Sequence, residues 1–435
     1  MMSAVISRAY GLLAADDEGR VCKDIPESAC NDQPQNFMRH VVALSSTKLG
    51  DGIFDPKLVL TWLMGALGVP VYLTGALVPL REAGALLPQL FTAAYIRSMP
   101  QRKWVWAAGA VVQGLCAAGV GAAALTLEGA TAGWVIVALV AIFAIGRSVC
   151  SVSYKDVLGK TVSKSTRGTA TGTAGSVAAV GVLLFGILIG FEIVPLEPLT
   201  IAIALFVAAC LWGFAALVFT TLAEEKGATE GGGNAFGVAV QQFGLLTEDR
   251  QLVLFIAVRG LLVSTALAPP YLLALTGSDE ARSLGDLGQF VIASSVAAII
   301  GGYVWGRLSD RSSRKTLIAS GVLAAATLLT TAGAEITGNA GLAFLLPGLL
   351  FVLMLSYQGV RLARSTHLTD MATQDTRAAY TALSNTIIGV LLLAASGVGV
   401  LAAAFGTLFV LFLFAGMSIA AALLAIGLDE VQADG

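Results

Sequence analysis

The chain has 435 residues, 56% of them apolar and only 12% charged, with a net charge of -2. Soluble domains carry about 25% charged residues, so lipid is the expected solvent, in keeping with a mean hydropathy of +0.82. Nucleic acid is excluded as a partner, because binding it needs a concentrated basic patch.

The first 36 residues hold Asp16, Asp17, Glu18, Asp24, Glu27 and Asp32 and no sustained apolar core. They read as a polar cytoplasmic tail, 1–36, with no cleavable signal, so the first membrane helix acts as its own signal. Cys22 and Cys30 lie in this tail and are expected to be reduced if it is cytosolic. A labile redox pair or weak metal site there stays open. Cys116, Cys150 and Cys210 lie in apolar runs, where a thiol behaves as a small hydrophobe.

Runs of about 20 apolar residues mark membrane helices. The first is read at 37–67, ending in a turn at Gly68-Val69-Pro70, where Gly and Pro favour a break. The next five are read at 69–96, 104–127, 134–152, 168–194 and 199–222. A polar linker, 223–250, follows, with Gly231-Gly232-Gly233 as flexible chain. Six more spans are read at 252–275, 284–308, 316–334, 341–360, 378–400 and 406–428. The expected organisation is therefore a six-helix bundle at 37–222, a second at 251–428, and a short tail at 429–435.

Loop charges set the orientation. Arg97, Arg102, Lys103, Lys155, Lys160, Lys164, Arg167, Arg307, Arg311, Arg314, Lys315, Arg364 and Arg377 fall in loops on one side. The opposite loops carry Glu128, Glu192, Glu197, Asp279, Glu280 and Glu335, with Arg282 as their one basic residue. Lys and Arg mark the cytoplasm, so both termini are expected inside and the helix count even.

The chain also repeats itself. Arg102-Lys103 recurs 212 residues later as Arg314-Lys315, and Lys48 is answered 211 residues later by Arg259. Arg147, Ser151 and Asp156 recur 214 residues later as Arg361, Ser365 and Asp370. Two parallel six-helix halves explain this pattern, and such repeats build many secondary transporters.

Gly306-Arg307-Leu308-Ser309-Asp310-Arg311-Ser312-Ser313-Arg314-Lys315, between helices eight and nine, resembles the signature loop of the major facilitator superfamily. A degenerate copy, Tyr95 to Lys103 without the Asp, lies between helices two and three. The resemblance spans 37–428 and implies two pseudo-symmetric six-helix bundles around a central cavity, lined by helices one, four, seven and ten, with alternating access. It also implies that Asp310 and Arg311, with Arg314, form a conformational latch. Helix five carries six glycines but no Gly-Pro, so drug/proton antiport is not supported; the glycines read as sites of close packing.

Ionised residues inside a membrane persist where they line a polar cavity or have a partner. Lys48, Asp51 and Asp55 are spaced to share one helix face, and Lys48 lies about 16 Å into helix one. Lys48, Arg81, Arg147, Arg259 and Arg361 are the expected substrate-binding cations, and Asp51, Asp55 and Glu82 the expected proton sites. The bland alternative is internal ion pairing between helices one and two, with Arg147 and Arg361 snorkelling or pairing with Asp156 and Asp370. His40 and His367 read as surface or capping residues. No nucleophile–base set, phosphate-cradling loop or ATPase motif is present, so neither enzyme activity nor a cofactor is expected.

The expectation is a monomeric permease of the inner (cytoplasmic) membrane, moving a small anionic or carboxylated solute either with proton coupling or as a uniporter. Cation, metal or drug efflux, and a non-transporting assembly factor or sensor working through its tail, remain open alternatives.

Overall fold

The computed structural model describes residues 10, 27–89, 92, 95–96, 98–227, 243–276, 280–373 and 376–432. Cys22, Arg97, Asp279 and Gly231-Gly232-Gly233 lie outside them, as does most of the tail. Among the described residues every regular element is an α-helix. In the first half these are α1 (Glu27–Ile53), α2 (Val59–Ala66), α3 (Val71–Thr74), α4 (Leu77–Leu86), α5 (Lys103–Thr126), α6 (Gly129–Thr161), α7 (Lys164–Gly190) and α8 (Pro198–Thr220). The second half holds α9 (Leu245–Glu248), α10 (Arg250–Leu261), α11 (Ser264–Leu267), α12 (Pro269–Ala274), α13 (Glu280–Arg311) and α14 (Ser313–Ile336). It ends with α15 (Leu345–Met371), α16 (Arg377–Ala395), α17 (Val398–Phe405) and α18 (Thr407–Ala425).

Among the described residues, 10 helices are long and apolar enough to cross a bilayer, from Lys103–Thr126 to Thr407–Ala425. They coincide with the third to twelfth expected spans. Spans one and two are helical in pieces, α1 with α2 and α3 with α4. Side chains such as Leu115, Leu217 and Leu423 are 63–70% exposed on the outer surface. A belt of that kind is unfavourable in water and natural in lipid.

The first span departs from a continuous 37–67 helix. It begins at Glu27 and breaks at 54–58, where Pro56 lacks an N–H and pushes Asp55 out of helical geometry. Thr61 Oγ1 donates to the Pro56 carbonyl at 2.8 Å, so the break leaves that acceptor satisfied. The turn after α2 falls where expected, with Gly68 at φ 69°, a conformation that costs glycine nothing. The seventh span is broken too, into α10, α11 and α12, and its Pro269 lies 213 residues beyond Pro56. The repeat thus extends from charges to helix breaks.

Within the first half α5 packs on α8 and α6, and α1 packs on α7 and α8. Phe54 stacks on Phe143 at 4.4 Å, and both meet the edge of the fully buried Trp212. In the second half α13 and α14 pack on α15, and α14 on α18. The halves meet through α7 on α13, α4 on α16 and α3 on α17. Two glycine pairs make the closest approaches. A Cβ at Gly288 would stand 2.1 Å from Gly190 Cα, and one at Gly75 2.5 Å from Gly399 Cα. Both pairs lie toward the end bearing the acidic loops, so the halves are sealed there by backbone-on-backbone packing.

Candidate functional site

Helix α1 carries Lys48 and Asp51 inward. Asp51 takes the guanidinium of Arg147 from α6 on both of its oxygens, and Arg81 Nη2 approaches at 3.5 Å. Arg81 also donates to Glu82 Oε1 at 2.8 Å. Lys48 Nζ donates to the Thr171 carbonyl of α7 at 3.0 Å. Asp55 does not share the helical face of Lys48 and Asp51, because it lies in the Pro56 break. Its Oδ1 instead accepts from Lys57 N at 3.0 Å. Of the ion pairing foreseen between helices one and two, Asp51 with Arg81 forms while Lys48 turns to a carbonyl, and Arg147 joins Asp51 rather than Asp156. Asp156 is taken by Arg102 and by Lys160, the latter at 2.9 Å.

The second half contributes a stripe on α15. Tyr357, Arg361 and Arg364 follow one another at helical spacing and so share a face. Tyr357 is within electrostatic reach of Lys57, Glu82, Arg361 and Arg364, and Lys48 is within reach of Arg361, Asp51 and Arg147. Arg364, assigned to a loop from sequence, sits inside the helix. Arg259 of α10 is only 6% exposed and donates to Ser384 Oγ at 2.7 Å and to Asn385 Oδ1 at 2.8 Å, both on α16. It makes no ion pair among the described residues.

The centre is not solid. Arg361 is exposed although it faces Lys48 of the other half, and the Arg147 side chain is 36% exposed. A Cβ at Gly175 would meet only Lys48 Nζ at 3.4 Å, and one at Gly168 or Gly172 would meet nothing within 4 Å. Open space therefore lies beside this stretch of α7, toward the end bearing the basic loops. The charges lining this centre from the first half are Lys48, Lys57, Arg81 and Arg147 against Asp51, Asp55 and Glu82. From the second half come Arg259, Arg361 and Arg364.

Lys57 escaped the sequence reading, although Asp55-Pro56-Lys57 carried the signal in its proline. The break turns this buried lysine toward the other half, where its ammonium sits 3.6 Å from the centroid of the Tyr357 ring. A desolvated contact of this kind is worth about 2 kcal/mol. It exists only while the halves are closed at the acidic end. Lys57→Met is therefore expected to raise the acidic-end-open population about 30-fold relative to the closed one. Spin labels at Thr131 and Thr337, in a background without the native cysteines, read this as a new longer distance; an unchanged distribution would refute the gate.

The loop charges hold each half together at the basic end. Glu224 accepts from the backbone N–H groups of Arg102 and Lys103 at 3.0 and 2.8 Å and from Lys160 at 3.3 Å. A carboxylate is favoured there by the positive end of α5. Glu430 engages the start of α14 through side chains, accepting from Ser312 Oγ at 2.7 Å and lying 3.6 Å from Arg314 Nε. Gln432 bridges Asp370 at 2.7 Å and Ser313 N at 2.9 Å. Of the expected latch, Arg314 is thus engaged with the C-terminal segment. Asp310 and Arg311 are exposed and make no hydrogen bond or ion pair among the described residues.

His40 and His367 are buried rather than on the surface. Each contacts a hydroxyl at 2.8 Å, Thr161 for His40 and Ser313 for His367. Cys116 and Cys150 are buried free thiols and Cys210 an exposed one. Cys30 is disulfide-bonded, contrary to the reduced state expected of the tail.

No protein-family profile matches this sequence, and no curated protein matches it significantly. Solved structures do resemble it. The nucleoside transporter NupG aligns at a TM-score of 0.67 and 13% identity, covering 90% of this chain and 99% of that one. The inward-open xylose transporter XylE from E. coli aligns at 0.65 and 13%, covering 91% and 97%. A POT family transporter in complex with a thioalcohol-conjugated peptide aligns at 0.67 and 10%, covering 93% and 98%. Likeness over whole chains, with a glycine-sealed acidic end and charged centre between two halves, gives this chain the fold of the major facilitator superfamily.

Proposed function

We propose that this protein is a secondary active transporter that moves a small anionic solute across the cytoplasmic membrane by alternating access, coupled to protons. The observation that carries the reading is the open, ionised centre, where exposed Arg361 faces Lys48 across the two halves. Cations outnumber carboxylates there, which favours an anionic cargo over a cationic one. The neighbours in fold include a D-xylose-proton symporter, which supports proton coupling as the energy source. The basic loops favour a cytoplasmic side for the open end and both termini.

The geometry suggests how the coupling works. Asp51 is held by Arg147, and Glu82 by Arg81. A solute anion arriving between Lys48, Arg147 and Arg361 competes with Asp51 for the Arg147 guanidinium. A proton then replaces the guanidinium as Asp51's partner, so solute and proton are carried together. A charge so exchanged, rather than left uncompensated, keeps the desolvation cost of the closed state small.

In liposomes, a gradient of protons should drive uptake by the intact protein. Asp51→Asn and Glu82→Gln should each abolish accumulation while leaving exchange of solute down its own gradient. If both variants still accumulate solute in response to the pH gradient, the proton sites lie elsewhere.

A further inference from the structure

The two sides of the central cavity are charged differently. On the first half most of the cations are already engaged by carboxylates or a carbonyl. On the second half Arg259, Arg361 and Arg364 have no ion pair, and Arg361 and Arg364 have no hydrogen bond either, among the described residues. Arg259 is buried with its Nε unpartnered, its other nitrogens held only by neutral Ser384 and Asn385. Arg364 lies within its electrostatic reach, which adds like-charge repulsion. Among the described residues their own half supplies these guanidinium groups no counter-charge, and only Arg364 has a carboxylate of the first half, Glu82, within electrostatic reach, so an anion bound between them would complete the set.

Geometry narrows that anion. Arg361 and Arg364 are one turn apart on α15 with Tyr357 on the same stripe, and Arg259 lies within electrostatic reach of Arg364. Planar guanidinium forks match the oxygens of carboxylates and phosphates two at a time. One carboxylate would neutralise one of three arginines and leave two facing each other. We infer that the solute carries two negative charges on oxygen, as a phosphate-type group or a pair of carboxylates, gripped by Arg361 and Arg364 and closed over by Lys48. This inference rests on the proposed anion transport and narrows it to dianions.

The test uses the full-length protein in liposomes at mildly alkaline pH. Its probes are glycerol phosphate and inorganic phosphate in one arm, succinate in a second and lactate as the monoanion. At least one dianion should half-saturate uptake about tenfold below lactate, and the leading arm names the headgroup. Arg361→Gln and Arg364→Gln should each erase that margin, weakening the dianion about tenfold more than they weaken lactate. Arg361→Lys, which keeps the charge and loses the fork, should sit between them and the wild type, and each variant's melting temperature reports folding. Lactate uptake with no dianion advantage, in flux or in ligand-induced melting shift, overturns the inference and leaves anion transport standing. Uptake of a cation with none of these anions overturns both.

Discussion

Replacing Arg147 by methionine is expected to abolish proton-driven accumulation and to lower the melting temperature in detergent by roughly 5 °C. Arg147 touches both oxygens of Asp51, and its loss leaves that carboxylate with Arg81 at 3.5 Å, itself shared with Glu82. Removing one member of a buried ion pair costs about 3–5 kcal/mol. The Arg147 side chain is 36% exposed, so water takes up part of the loss and the cost falls near the lower end, about 3 kcal/mol. Felt in the loaded state, that amounts to a rate about 150-fold lower. The double variant Asp51→Asn with Arg147→Met separates the causes. It removes the orphaned charge, so the melting temperature should return, while accumulation stays absent because the exchange of guanidinium for proton is gone. A single variant that still accumulates solute would rule out Arg147 as the group for which anion and carboxylate compete.

The spans, the loop charges and the repeat were legible because each rests on a pattern that lipid enforces over many residues. Hydropathy located the ten spans from α5 onward, including the broken seventh and eleventh, and Gly68 marked the turn that keeps spans one and two apart. The charged centre was half legible. Lys48, Asp51, Arg81, Glu82, Arg147 and Arg361 stand out as rare ions in apolar runs, and they do converge. What a one-dimensional pattern could not supply was the partner of each. Arg147 lies 96 residues from Asp51, while the nearer Asp156 belongs to Arg102. Lys57 was hidden for a different reason: on a continuous helix it would have pointed away from the second half, and the Pro56 break re-aims it at Tyr357. Glu224 and Glu430 were passed over as linker and tail charges. Glu224 takes the N–H groups at the start of α5 and Glu430 the Ser312 hydroxyl that caps α14, helix-terminus contacts that become specific only once the chain returns to that spot.

Gly288→Ala is the smallest change with a large expected effect on the transport cycle. The added Cβ would fall 2.1 Å from Gly190 Cα, 2.2 Å from Gly190 N and 2.9 Å from the Ile189 carbonyl carbon. All three are backbone atoms of α7, so no side chain can rotate away to relieve them. Overpacking of a fitted contact costs about 1–3 kcal/mol, and a clash with backbone belongs at the top of that range. The strain exists only where α7 and α13 touch at the acidic end, so it acts on the balance between the two states more than on folding. About 3 kcal/mol would shift that balance roughly 150-fold away from the closed acidic end. Uptake should fall accordingly, since the protein must revisit the closed state to release its cargo. The Thr131 and Thr337 labels should report the longer separation already expected of Lys57→Met, and by a wider margin. Gly172→Ala on the facing helix α7, where a Cβ meets nothing within 4 Å, should leave both distance and uptake unchanged. If Gly288→Ala keeps the short distance, the glycine seal is not what holds the acidic end shut.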